Sequence, residues 1–294
     1  MKRFVSRLAS VLMACALLLG MAAPSFSAEI TSGQLFEFLT QDNPDYTSVT
    51  ALEDDILKEL RSLAGFDRDI PESLTPSYAD AYKLYTNTQI LSMDTTDEGE
   101  IRTALEDGTY FWIIPFPNIN GYSYNVPVFW DGETWDVGYV EEYEEGDNPS
   151  YTVSAAQRID QLPQGDYTAV LVGGLTHIQQ PVAVVFENGE ARYIVESRSP
   201  IPLEGTEKQK QRLLAEGTSE SDGIFQYDKI AQVVNNMPPP NPDLMGGVLL
   251  DTSYLDGSPN QLEWYIPVGL GLSGLMVIAL IVAVAVRRRR QSSR

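Results

Sequence analysis

Cysteine and histidine are nearly absent, with one of each in 294 residues. Cys15 lies in an amino-terminal apolar run, so a chain that loses that run has no thiol. A disulfide scaffold and thiol catalysis are therefore excluded. Zinc sites commonly draw on several Cys and His ligands, which are missing too. His177 would have to serve any Ser-His-Asp triad alone, and no serine stands in a G-x-S-x-G setting. It follows an apolar run ending at Leu175 and reads as a solvated loop residue. No lysine follows a serine at S-x-x-K spacing, which removes penicillin-binding and serine β-lactamase chemistry. Bases are scarce as well, 20 against 41 acids. Outside the termini they form no patch of the kind nucleic-acid binding leaves, so no nucleic-acid partner and no cofactor are expected.

The ends of the chain are distinctive. Lys2, Arg3 and Arg7 precede the apolar stretch Leu8–Ala23, and Ser25-Phe26-Ser27 places small residues at −3 and −1 of a cleavage site, so residues 1–27 read as a signal peptide. Leu12-Met13-Ala14-Cys15 only loosely resembles a lipobox. At the other end, Tyr265–Val286 is 22 residues without a charge, a reach of about 33 Å as a helix. Trp264 and Tyr265 fall where an interfacial aromatic belt belongs, and Arg287, Arg288, Arg289 and Arg290 form a stop-transfer cluster that holds its end in the cytoplasm. Residues 264–286 are thus expected to form a transmembrane helix with the bilayer as partner, followed by a basic tail at 287–294. Gly269-Leu270-Gly271-Leu272-Ser273-Gly274 matches G-x-G-x-x-G but sits inside this run with no preceding strand, so a dinucleotide reading fails.

Between the ends lie an expected extracytoplasmic domain, residues 28–236, and a Pro-rich stalk, residues 237–263, opened by Pro238-Pro239-Pro240-Asn241-Pro242. Residues 29–263 hold 12 bases and all 41 acids, a charge that repels anionic lipid and nucleic acid. The lack of cysteine and of a usable glycosylation sequon (Asn148-Pro149-Ser150 is blocked by its proline) suits a bacterial cell surface. The layout resembles membrane-anchored surface proteins of Gram-positive bacteria, without an LPxTG motif before the span.

Periodicity in the domain predicts an α+β fold, a mainly antiparallel sheet with flanking helices. Helical spacing runs over Thr47–Ala64 and closes at Gly65, with shorter helices around Gln34–Leu39, Ile101–Leu105, Glu207–Ala215 and Tyr227–Asn236. Strand-like runs occupy Tyr82–Leu91, Thr109–Phe116, Val126–Trp130, Thr134–Tyr139, Tyr167–Leu175, Val182–Phe186 and Ala191–Val195. Asn188-Gly189 and Asp131-Gly132 are hairpin signals. Read as two-residue turns, they pair Phe186 with Ala191, Val184 with Tyr193 and Val182 with Val195, and likewise Val128 with Trp135 and Val126 with Val137. Both hairpins begin Pro-Val and end their turns in Gly-Glu, a pattern open to duplication or to reuse of a good hairpin.

Carboxylates and aromatics remain as candidates for chemistry. Glu141, Glu142, Glu144, Glu145 and Asp147 form the densest acidic run and read as a solvated loop. Asp94, Thr96 and Glu98 begin an EF-hand-like sequence with glycine at position 6, but Leu105 stands where the bidentate Glu belongs, which leaves a weak metal candidate. Between Tyr110 and Tyr143 lie 11 of the 29 aromatic residues and three of the four tryptophans. Trp130 and Trp135 read as same-face core residues. Tyr122 and Tyr124 fall in an expected loop, Asn118–Asn125, and with Trp112 they are the candidate ligand contacts. The sequence reads as a non-enzymatic binding or assembly module of the bacterial envelope, single-pass in the cell membrane, with an envelope protein or glycan as partner. Two alternatives stand beside it: a carboxylate-dependent enzyme acting on glycan, and a structural subunit that packs through Gly269 and Gly274.

Overall fold

The computed structural model describes residues 35–64, 70–86, 89–144, 150–178, 180–239 and 249–257. The expected signal peptide and the anchor residues Trp264, Tyr265 and Arg287–Arg290 lie outside them. Among the described residues no helix is long and apolar enough to cross a membrane.

The fold is α+β, built on a mostly antiparallel mixed sheet. Helix α1 (Tyr46–Thr50) and helix α2 (Glu53–Ala64) divide the segment whose periodicity predicts one helix. Three acids in the first turn of α2 and Arg61 in its last turn suit the helix dipole. Strand β1 (Tyr82–Thr86) is followed by helix α3 (Glu98–Glu106), then strands β2 (Thr109–Ile119), β3 (Tyr122–Trp130), β4 (Trp135–Val137) and β5 (Glu141–Glu144). Helix α4 (Tyr151–Ile159) leads into β6 (Tyr167–Val172), β7 (Val182–Glu187) and β8 (Glu190–Glu196). The short β9 (Leu203–Glu204), helix α5 (Glu207–Gln211), β10 (Ile224–Gln226), helix α6 (Tyr227–Asn236) and β11 (Leu250–Asp251) complete the order.

The main sheet runs β10-β8-β7-β6-β1-β2-β3-β4, with β5 pairing the early part of β3. Its one parallel junction is at the centre, where Leu84 faces Leu171 and Tyr85 faces Val172. Two antiparallel meanders therefore spread outward from β1 and β6. One sheet face carries two apolar clusters. The first packs Val170, Val184, Phe186 and Ile194 against Ile101 and Leu105 of α3 and Ile230 and Val233 of α6. The second packs Trp112, Ile114, Val126 and Val128 against Ile56 and Leu60 of α2. Tyr110 touches both. On the opposite face α4 lies against β7 and β8, and Tyr151 meets Tyr82 edge to face at 6.5 Å.

Several expectations need correction. The segment around Gln34–Leu39 is not a helix through Leu39: Lys83 N–H donates to the Glu37 carbonyl at 3.1 Å and Leu39 N–H to that of Ala81 at 2.8 Å, so this stretch runs extended beside β1. Asn120-Gly121, with φ of 53° and 84°, is a two-residue turn that pairs Ile119 with Tyr122. The expected loop Asn118–Asn125 is thus the tip of a hairpin. Glu141–Glu144 is not a loop but an edge strand on β3. At Asp131-Gly132 the turn is longer than two residues, so Trp130 faces Trp135 and Val128 faces Val137. A slip of two leaves the same side chains on the same face. A bulge between Val185 and Phe186 sets Val184 opposite Ile194 and Val182 opposite Glu196.

The expected stalk is also partly folded onto the domain. β11 pairs in parallel with β9, Leu250 and Leu255 are buried, and Asn236 Nδ2 donates to the Tyr254 carbonyl at 2.9 Å. Arg212 clasps Asp256 through two hydrogen bonds of 2.8 and 2.7 Å. Gly205, at φ 129°, sits so close to Thr252 that a Cβ there would overlap its hydroxyl. Truncating Leu255 to Ala should cost about 3 kcal/mol in urea unfolding. Gly205→Ala should also destabilise, because both the backbone angle and the contact forbid a side chain. Unchanged stability in both would show that this segment contributes nothing to the fold.

Candidate functional site

Where α1 begins, Asp45 occupies the N-cap position, yet its carboxylate does not cap the helix. Its Oδ2 accepts instead from the Tyr110 hydroxyl at 2.8 Å and from Trp112 Nε1 at 2.9 Å. Tyr110 comes from β2, beside the β3–β4 hairpin that supplies Trp130 and Trp135. These residues, with Thr109, Asp131 and two glycines, line an open cleft of about 590 Å³, within the usual range for a small-molecule site. The ring centroids of Tyr110 and Trp135 are 6.3 Å apart at 59°, and those of Trp130 and Trp135 6.0 Å apart at 62°. Trp130 remains 47% exposed. The same-face expectation for the two tryptophans holds, but Trp130 is a cleft wall and not a core residue.

The electrostatics of the cleft are one-sided. Asp131 Oδ1 accepts from the backbone N–H groups of Glu133 and Thr134, each at 2.7 Å, and these bonds hold its carboxyl below the usual range. Burial, then the bond to Asp45, pushes the Tyr110 hydroxyl well above its ordinary value, so it stays a donor. Beneath Tyr110 lies Lys83, whose side chain is 7% exposed. Its Nζ donates to both oxygens of Glu106 at 3.0 and 2.9 Å and stands 4.2 Å from the Tyr110 ring centre. Glu37 adds a second carboxylate at 3.6 Å, and the Tyr85 hydroxyl donates to Glu106. Against the opposing pull of burial, the bonds from Tyr85 and Lys83 lower the Glu106 carboxyl.

The sequence-based candidates land elsewhere. Trp112 and Tyr124 are fully buried in the core and offer no surface to a ligand, although Trp112 steadies the cleft through Asp45. Tyr122 is half-buried on β3, packed against the same core cluster. Asp94, Thr96 and Glu98 do not converge. Asp97 caps α3 by accepting from Glu100 N–H, the Thr96 carbonyl accepts from Ala191 N–H, and Glu98 is engaged by Arg102 and Thr168. Among the described residues no group of three acidic, His or Cys side chains is placed to hold a metal. His177, expected in solvent, is 6% exposed at φ 65°, and neither ring nitrogen makes a full hydrogen bond. Asp45, Tyr110, Lys83 and Glu106 escaped sequence reasoning. The available signal was an Asp immediately before a helix and a lysine inside an apolar strand. Comparison with protein-family models, curated proteins and solved structures finds no match to this chain.

Glu106→Gln leaves Lys83 buried with only the more distant Glu37, and should cost about 2 kcal/mol by urea unfolding. Lys83→Met should cost less, because the half-exposed acids then regain water. The depressed Glu106 value means its contribution is fully present above the ordinary 4.5 and is lost as acid carries the pH down through the folded-state value. The wild type should therefore lose stability in that window more steeply than Glu106→Gln. Burial likewise lowers the His177 imidazole from 6.5, partly offset by the Pro238 backbone. Its contribution is present above 6.5 and falls away below it, so His177→Asn, which tolerates the left-handed backbone, should flatten stability between neutral and mildly acid pH. An unchanged pH profile would refute this.

Proposed function

We propose that the chain is an exported binding module of the bacterial cell surface, and that the cleft between α1 and the β3–β4 turn is where its ligand sits. In this reading residues 1–27 direct export, residues 264–286 span the cell membrane, and residues 287–294 remain in the cytoplasm. One observation carries the assignment of the cleft. A tryptophan that a monomeric core would bury is left 47% exposed, beside a second ring and two carboxylates. Exposed tryptophans set against polar groups are favoured contact residues because they give large area for few frozen torsions. The acidic surface keeps the domain soluble and selects against anionic partners.

The glycan-hydrolysing reading draws on Asp45 and Asp131 sharing one cleft. Such chemistry needs one carboxyl to deliver a proton to the leaving group, and Asp45 Oδ2 is already occupied by the Tyr110 hydroxyl and Trp112 Nε1. Binding without turnover is the better-supported reading.

Two experiments test it. Protease added to intact cells should digest the domain, and alkaline carbonate should leave the chain in the membrane; a protected domain or an extracted chain would overturn the topology. Purified chain should sediment with isolated envelope material, and Trp130→Ala should lose most of that binding with circular dichroism unchanged. Equal sedimentation of the variant would remove the cleft from the function.

A further inference from the structure

We propose that the cleft recognises an organic cation, specifically an alkylated ammonium group such as that of choline. This deepens the binding reading above and rests on it. Trp135 stands between the other two rings, tilted 59° to Tyr110 and 62° to Trp130, with centroids 6.3 and 6.0 Å away. Rings tilted to one another can meet a compact group on more than one side, whereas a sugar ring is better served by one flat platform. Ring faces carry negative potential, and a methylated ammonium gives up little hydration when it meets them.

The charges agree with the rings. Asp45 and Asp131 are the only charged residues among the described lining, and both are acids. Asp45 spends Oδ2 on Tyr110 and Trp112, while Oδ1 takes no hydrogen bond among the described residues. Asp131 is turned so that backbone N–H groups favour its ionised form. The Tyr110 hydroxyl is already committed to Asp45, which removes a donor that an anion would want. Lys83 lies behind Tyr110, but Glu106 and Glu37 outnumber it and leave that cluster net negative. The acidic domain as a whole draws cations toward the cleft.

The test is calorimetric titration of the full chain in a polyoxyethylene detergent, in phosphate buffer of low ionic strength. The probes are choline, its uncharged isostere 3,3-dimethylbutan-1-ol, and cellohexaose. Choline should bind saturably, and the isostere at least about tenfold more weakly. Trp130→Ala should weaken choline about tenfold. Asp131→Asn, which keeps the acceptor for the turn and removes only the charge, should weaken it several-fold. Equal binding of choline and its isostere would overturn the proposal, as would choline binding indifferent to Trp130→Ala. Cellohexaose bound in the same cleft, with no choline binding, would overturn the cation inference and leave the binding module standing. Silence from every probe, joined to envelope sedimentation unaffected by Trp130→Ala, would end both.

Discussion

A cation on a central strand must be neutralised where water hardly reaches, and Lys83 sets the terms for what packs around it. Its side chain emerges between two apolar clusters, on the strand that joins the two meanders. Glu106 arrives from the last residue of α3 and Glu37 from the extended segment beside β1, so the ion pair ties three separate stretches of chain. An ion pair whose cation is buried adds little net stability, because desolvation offsets the attraction. It does penalise arrangements that separate the partners. The orientation of α3 on the sheet, and with it the Gly108–Thr109 edge of the cleft, is thereby restricted.

Tyr110 carries that restriction outward. One neighbour is the Lys83 ammonium and another the Asp45 carboxylate, so both ring and hydroxyl are held in place. Asp45 in turn forgoes capping α1, a cost of about 1 kcal/mol by general experience with helix ends. A cap surrendered to hold two aromatic donors is a local rule broken at a cleft, where such departures tend to gather. Rigid walls lower the entropic cost of binding, which is how a shallow site can still hold a small ligand.

Much of the sheet was legible in the sequence, because alternation and turn chemistry are local. The strands β2, β6, β7 and β8 and the helix α6 fall close to their periodic signals. The failures have specific causes. The apolar alternation of β2 fades after Phe116, so the local pattern does not reveal that the strand continues to Ile119 and turns at Asn120-Gly121. The same dipeptide at Asn188-Gly189, set between the apolar-rich runs Val182–Phe186 and Ala191–Val195, is the turn its chemistry predicts, although the neighbouring bulge has no local signal. The short, acidic β5 has no apolar pattern and depends on β3 for its pairing. The cleft was the least legible part. Asp45 and Tyr110 are 65 residues apart in sequence, and nothing local announces that Lys83 will be buried. Even so, the aromatic density between Tyr110 and Tyr143 marks the stretch of chain that supplies Tyr110, Trp130 and Trp135 to the cleft, whereas Trp112 and Tyr124 are buried in the core.

The return of Leu249–Gly257 to the domain alters how the molecule would stand on a membrane. A free stalk from residue 237 to residue 263 could lift the domain some 90 Å when fully extended. With the chain pinned at Asp256 by Arg212, seven residues remain before Trp264, a leash of about 25 Å. On the proposed topology, a strongly acidic body would be held close to an anionic lipid surface and repelled by it. Repulsion at short range favours orientations that turn the densest negative patches outward, so the tether would set the attitude of the domain as well as its height.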